Sequence, residues 1–230
     1  MKLIRRTLKV TGVIVLVAFV GLLGVGDYVY RTGTKVFCGI HTDHAANTPT
    51  RFVTPGSGRG PFRGSGWDRW VGHDLSAWWV PDIPVETVRI RDPHRAVTIA
   101  GWWMTPNFPS NKATVIVVHG IDSSRHNFDT LMPAAMLARA GFNILLIDLR
   151  DQGETTCEDG RHSAGQDESD DILTAAHWLK SVKAIPLSRL GVHGVSGGAL
   201  AALIVAAKNS DIAAFSLEAP VFDFNKAATH

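Results

Sequence analysis

Cysteine is scarce in this sequence, with only Cys38 and Cys157 among 230 residues. Neither stands in a C-x-x-C or a Cys/His spacing, which excludes the usual redox and zinc signatures. The two cysteines thus point to neither a thiol redox site nor a zinc site. In an oxidising compartment Cys38 and Cys157 either pair, tying distant parts of the chain together, or remain two unrelated thiols; their positions leave both open. A dominant charge is lacking too. The formal net charge is +2, yet Lys2, Arg5, Arg6 and Lys9 sit in the first nine residues, so without them the rest carries −2. No basic stripe with interleaved aromatics occurs in the body, which argues against nucleic acid as a partner.

The long apolar run is Val10 to Gly26, interrupted by Thr11 and bounded by Lys9 and Asp27. At about seventeen residues it reaches the lower limit for crossing a bilayer and is long for a signal-peptide core. An A-x-A cleavage site is missing, although Gly24 and Gly26 have the −3/−1 spacing. An uncleaved signal anchor is favoured over a cleaved signal peptide, which would leave a secreted body. A buried helix of a soluble domain is the weaker alternative, because the run is apolar all round with a basic cluster on one side. Residues 1–30 thus read as a basic leader and transmembrane helix. The four cations place the N-terminus in the cytoplasm and the body on the other side.

Residues 31–84 are rich in Gly, Pro, Thr and Trp and sustain neither helical nor strand periodicity, so a connecting arm on the domain surface is expected. Its Trp67, Trp70, Trp78 and Trp79 suit packing against the domain, with a partner or membrane interface as the alternative. Regular structure starts with Val85–Ile90, alternating like a half-exposed edge strand, and Val97–Trp103 completes a hairpin. Thr114–Val118 is β-branched throughout and fits a strand buried on both faces. Phe128, Leu131, Ala135 and Ala138 follow at helical spacing, stopped by Gly141. A strand over Asn143–Leu149 comes next. Ile172, Ala175, Ala176 and Leu179 mark a second helix, with Ser169, Asp170 and Asp171 at its N-terminus. A strand ending near Val195, a small-residue helix from Ala199 to Lys208 and a strand over Ile212–Glu218 complete the series. Strands alternating with helices predict an α/β fold, a mainly parallel sheet with helices on both faces, over 85–230.

The segment Leu190 to Ala199 contains Gly194-Val195-Ser196-Gly197-Gly198, a G-x-S-x-G between a strand and a helix. Such a serine sits on a sharp turn, exposed and strained, and its glycine neighbours let strand and helix approach closely. Upstream, the buried strand ends in His119-Gly120-Ile121-Asp122, and the next strand ends in Asp148-Leu149-Arg150-Asp151-Gln152-Gly153. The three motifs, in this order, resemble the α/β-hydrolase family, from about Val85 to Phe224.

The resemblance implies a serine hydrolase acting on an ester, thioester or amide, with no metal and no organic cofactor. Ser196 would attack a small-molecule or lipid-like acyl carbonyl, and the N–H groups of Gly197 and Ile121 would stabilise the oxyanion. His119, Gly120, Gly194 and Gly198 would support the motif; Asp148, Arg150, Gly165, Glu168 and Asp171 would brace loops. Serine at the elbow argues against the branches that use aspartate there. The family's triad takes its acid and histidine from later strands, and six strands are counted before His230, so the fold is expected to be incomplete at its C-terminus. Asp223 is the candidate acid. His119, His193 and His230 are the histidines available as a base, with His119 better suited to bracing its loop and His193 to core packing. Two functions follow as expectations: a membrane-anchored serine hydrolase lacking its base and acid in this chain, or a non-catalytic binding module or truncated remnant of the same fold. Strands supplied in trans by a partner are a third.

Overall fold

The structure, a computed structural model, describes residues 2–54, 71–106 and 113–220, with side chains from Thr11 onward. It divides into two compact units, Met1–Lys35 and Val36–His230. The first is one helix, Lys2–Gly33 (α1). Within it Thr11–Gly33 is 23 residues long and apolar enough to cross a membrane; at the helical rise this is about 35 Å, more than a hydrocarbon core requires. Near its C-terminal end Asp27 and Arg31, one turn apart, pair at 2.7 Å.

In the second unit, Val85–Arg91 (β1) and Thr98–Met104 (β2) form the expected antiparallel hairpin. Thr114–Val118 (β3), Asn143–Ile147 (β4), Leu190–Val195 (β5) and Ala214–Glu218 (β6) follow. The sheet order is β1-β2-β4-β3-β5-β6. β2 meets β4 antiparallel, while β4, β3, β5 and β6 run parallel, with Ile116 opposite both Leu145 and Val192. This is the mixed, mainly parallel sheet that the alternation of elements predicts. β3 and β4 are buried almost throughout, the fate of apolar runs that no polar face can turn to water.

Phe128–Arg139 (α2) covers one face of the sheet; Gln166–Val182 (α3) and Gly197–Lys208 (α4) pack together against the other. Two core layers result. Ile116, Leu145, Ile147, Ile172, Leu179 and Val205 fill the α3/α4 side. Val117, Leu146, Trp102, Leu131 and Ala135 fill the α2 side, and Phe52, Leu75 and Val80 join them. The region expected as a surface arm therefore supplies core residues, and Trp79 Nε1 donates to the Phe52 carbonyl at 2.7 Å. Trp78 and Trp79 pack partly buried on this layer; Trp67 and Trp70 lie outside the described residues. Cys38 and Cys157 form a disulfide, so of the two alternatives the sequence left open the structure takes the pair.

Element ends move for local reasons. β4 ends at Ile147; the Asp148 N–H still bonds the Ala100 carbonyl opposite it, and the chain leaves the sheet at Leu149, whose N–H goes to the His119 ring. α3 begins at Gln166, one turn before Ser169, because the Glu168 carboxylate accepts the N–H groups of Ser163 and Gly165, both at 2.9 Å.

After β4 the chain folds round a buried ion pair. Arg150 sends Nε and Nη2 to Asp171 on α3, and Asp171 Oδ2 also accepts the Arg150 N–H at 2.8 Å. Both side chains are almost wholly buried. Arg150→Met would leave the buried Asp171 carboxyl without its guanidinium partner, and should lower the unfolding free energy by about 3–5 kcal/mol in chemical denaturation. A loss below about 1 kcal/mol would show that this pair does not hold the loop to α3.

Candidate active site

β5 ends at Val195 and α4 begins at Gly197, leaving Ser196 alone to turn the chain. Its φ of 51° and ψ of −112° lie in a sparsely populated region, at a cost of about 1–3 kcal/mol. Two hydrogen bonds hold it there: Ser196 N–H donates to the Glu218 carbonyl at 2.8 Å, and its own carbonyl accepts the Leu200 N–H at 3.1 Å. Glycine is required on both sides. A Cβ at position 194 would fall on the Gly198 backbone, and one at 198 on the His119 carbonyl.

The turn after β3 lies against this elbow. A Cβ at Gly120 would stand 3.3 Å from the Ser196 Cβ, and one at Gly197 would stand 3.1 Å from the Ile121 nitrogen. Neither the Ile121 nor the Gly197 N–H donates to any described residue. The Gly120–Ile121 peptide plane is oriented by His119, whose Nδ1 donates to the Gly120 carbonyl at 2.7 Å. In a trans peptide the Ile121 N–H then points the opposite way. His119 Nε2 accepts the Leu149 N–H at 3.0 Å, which fixes the tautomer. Burial lowers the His119 pKa, against the pull of nearby Asp148, and keeps the ring neutral.

The other candidates sit elsewhere. His193 Nδ1 lies 3.0 Å from Ser216 Oγ and its Nε2 lies 3.6 Å from Glu218, with burial lowering its pKa. Among the described residues no histidine ring is hydrogen-bonded to Ser196 Oγ. Asp223 and His230 lie outside the described residues. Asp148 accepts from the Arg125 N–H at 2.7 Å, from the Arg125 guanidinium and from the Glu154 N–H at 2.8 Å. Gly153 turns at φ 57° because any Cβ there would strike the Asp148 carboxylate. Arg125, buried between Asp148 and Glu154 and 4.5 Å over the Trp102 ring, was not singled out from the sequence; nothing in the Ser123–Asn127 stretch distinguishes it from a solvated cation.

Among the described residues one group of three metal-ligating side chain types comes together, Cys38, Asp151 and Cys157. Both sulfurs are in the disulfide, and Asp151 Oδ1 accepts the N–H groups of Glu158, Asp159 and Gly160. These residues brace a loop.

Residues 127–230 match the prolyl oligopeptidase family. The esterase Pf2001 of Pyrococcus furiosus superposes with a TM-score of 0.57 at 28% identity, over 66% of this chain and 58% of that one. The α/β hydrolase GrgF from Penicillium sp. sh18 gives 0.51 at 22% identity, over 61% and 47%, a likeness of fold alone. A Mycobacterium tuberculosis protein provisionally named a phosphoribosyl transferase is 30% identical over 130 residues, 55% of this chain and 28% of that protein. The chain thus spans less than two thirds of the length of each of these relatives.

Beside the elbow, Asp129 occupies the first turn of α2 and accepts the Thr130 hydroxyl at 3.0 Å. Burial, with a further push from Glu218, raises its pKa to about 6, although the Thr130 hydrogen bond works the other way. Because the folded chain holds this proton more tightly, the contribution of Asp129 to stability is greatest below about pH 4 and is lost as the pH rises through 6. Asp129→Asn should therefore stabilise the protein at pH 8 by on the order of 1–3 kcal/mol and have little effect at pH 4. Denaturant titrations at the two pH values check this, and equal stability of variant and parent at pH 8 would refute it.

Proposed function

From the α/β-hydrolase fold of this chain, we propose that it carries the nucleophile and oxyanion hole of a serine hydrolase acting on an ester, thioester or amide. The observation that carries this reading is the position of Ser196: a strained one-residue turn between β5 and α4, beside two N–H groups that have no partner among the described residues. Ser196 Oγ attacks the acyl carbon, and the carbonyl oxygen gains charge between the Ile121 and Gly197 N–H groups. The positive end of α4 adds to the same field. Such donors stabilise the tetrahedral intermediate without reorganising, and losing one typically costs about 10²–10³ in rate.

Serine hydroxyl also needs a proton acceptor. His119 is unsuited to that role, because its Nδ1 is a donor and its Nε2 is already occupied. No described residue serves as the base, and Asp223, outside the described residues, is the candidate acid. α1 serves as a membrane anchor, with the hydrolase unit on the non-cytoplasmic side; the apolar length of Thr11–Gly33 and the four leading cations support this. The disulfide agrees with an oxidising compartment. The substrate is an acyl compound, and neither a cofactor nor nucleic acid is involved. A second reading, a non-catalytic module of the same fold, is favoured by one observation: Ser196 Oγ lacks a hydrogen-bonded histidine among the described residues.

Labelling with a fluorophosphonate probe separates the two. The serine hydrolase should label, and Ser196→Ala should abolish labelling and reduce hydrolysis of an activated ester by at least about 10³-fold. A folded protein that neither labels nor hydrolyses would support the non-catalytic module.

A further inference from the structure

The loop bearing the Ile121 N–H is held from two sides. From within, His119 fixes the Gly120 carbonyl. From outside, the carboxylate of the next residue, Asp122, reaches a segment far earlier in the chain. Asp122 Oδ1 accepts the Phe37 N–H at 2.8 Å and lies 3.4 Å from His41 Nε2. The Phe37 and His41 rings lie with centroids 5.0 Å apart, closing the same short stretch.

That stretch is itself anchored. Val36 N–H donates to the Gly160 carbonyl at 3.0 Å, and the Gly39 carbonyl accepts the Gly153 N–H at 3.1 Å. Between them Cys38 is bonded to Cys157. All three anchor points belong to the loop after β4, which is built round Asp148 and Asp151. Asp122 adopts φ 54°, a left-handed conformation that aspartate and asparagine tolerate better than most residues. Its side chain is half exposed, so core packing does not explain this geometry.

We propose that Asp122 is a positioning residue for the oxyanion hole, and that the disulfide-anchored stretch Val36–His41 is the strut it bears on. The proposal rests on the serine hydrolase reading above. His119 sets the plane of the Gly120–Ile121 peptide; Asp122 stops the following residue from rotating the turn away from Gly197. An oxyanion donor loses most of its effect when displaced by about 1 Å, so a link outside the pocket affects the rate. The segment leading out of α1 thereby becomes part of the catalytic frame.

The test uses three variants of the intact protein, with an activated ester and the fluorophosphonate probe. Asp122→Gly keeps the left-handed conformation but removes the acceptor, and should lower kcat and the labelling rate about tenfold with KM little changed. Asp122→Asn keeps both conformation and acceptor and should stay within about twofold of the parent. The double variant Cys38→Ala/Cys157→Ala should lower kcat in the same sense, and adding Asp122→Gly to it should cost little more, because both act through one strut. Parental rates in Asp122→Gly, or equal losses in Asp122→Gly and Asp122→Asn, would overturn the proposal while Ser196-dependent activity leaves the hydrolase reading standing. If the parent shows no Ser196-dependent labelling or turnover, both fall together.

Discussion

At the carboxyl end of β3 the imidazole of His119 is wholly enclosed, donating to Gly120 and accepting from Leu149. One neutral ring therefore joins the turn after β3 to the turn after β4, two loops that share no backbone hydrogen-bond ladder. A second proton would abolish the bond to Leu149 and place a charge in a dry site, which is why burial holds the ring neutral. The orientation of the Gly120–Ile121 peptide, the closeness of that turn to Gly197 and the start of the loop after β4 all depend on this ring.

The loops round it are organised by charge rather than by apolar packing. Arg125 lies between Asp148 and Glu154, and Arg150 between Asp171 and Glu158. Each guanidinium is nearly inaccessible to water, and each binds a carboxylate that also accepts backbone N–H groups. Such arrangements add little net stability over apolar packing but penalise any other loop path, because a displaced partner leaves a buried charge alone. The loops that pack beside the Ser196 turn are thereby held to one path.

The sheet and the sharp strand-to-helix turn at Ser196 were legible because both follow local rules. β3 and β4 declare themselves by continuous apolar runs, and the turn by its Gly194–Gly198 spacing, which the structure explains by the backbone atoms a Cβ would meet. The packing of Phe52, Leu75 and Val80 on α2 was not legible, since isolated apolar residues in a Gly- and Pro-rich stretch show no period. Arg125 and Asp122 were hidden for a different reason: their partners lie tens of residues away, and spacing says nothing about such contacts. The disulfide was visible as an option only, because two cysteines fix the single possible bond but not whether their Cα atoms approach to 5.6 Å.

Ser196 donates its N–H to Glu218, at the far end of the strand that follows α4. On a chain emerging from the ribosome, the serine is made well before the residue that holds it. Until β6 docks, only the first turn of α4 opposes relaxation of Ser196 to an ordinary backbone conformation. The strained turn at Ser196 is therefore a late event in the life of the polypeptide, completed only once β6 has been made and has docked beside β5.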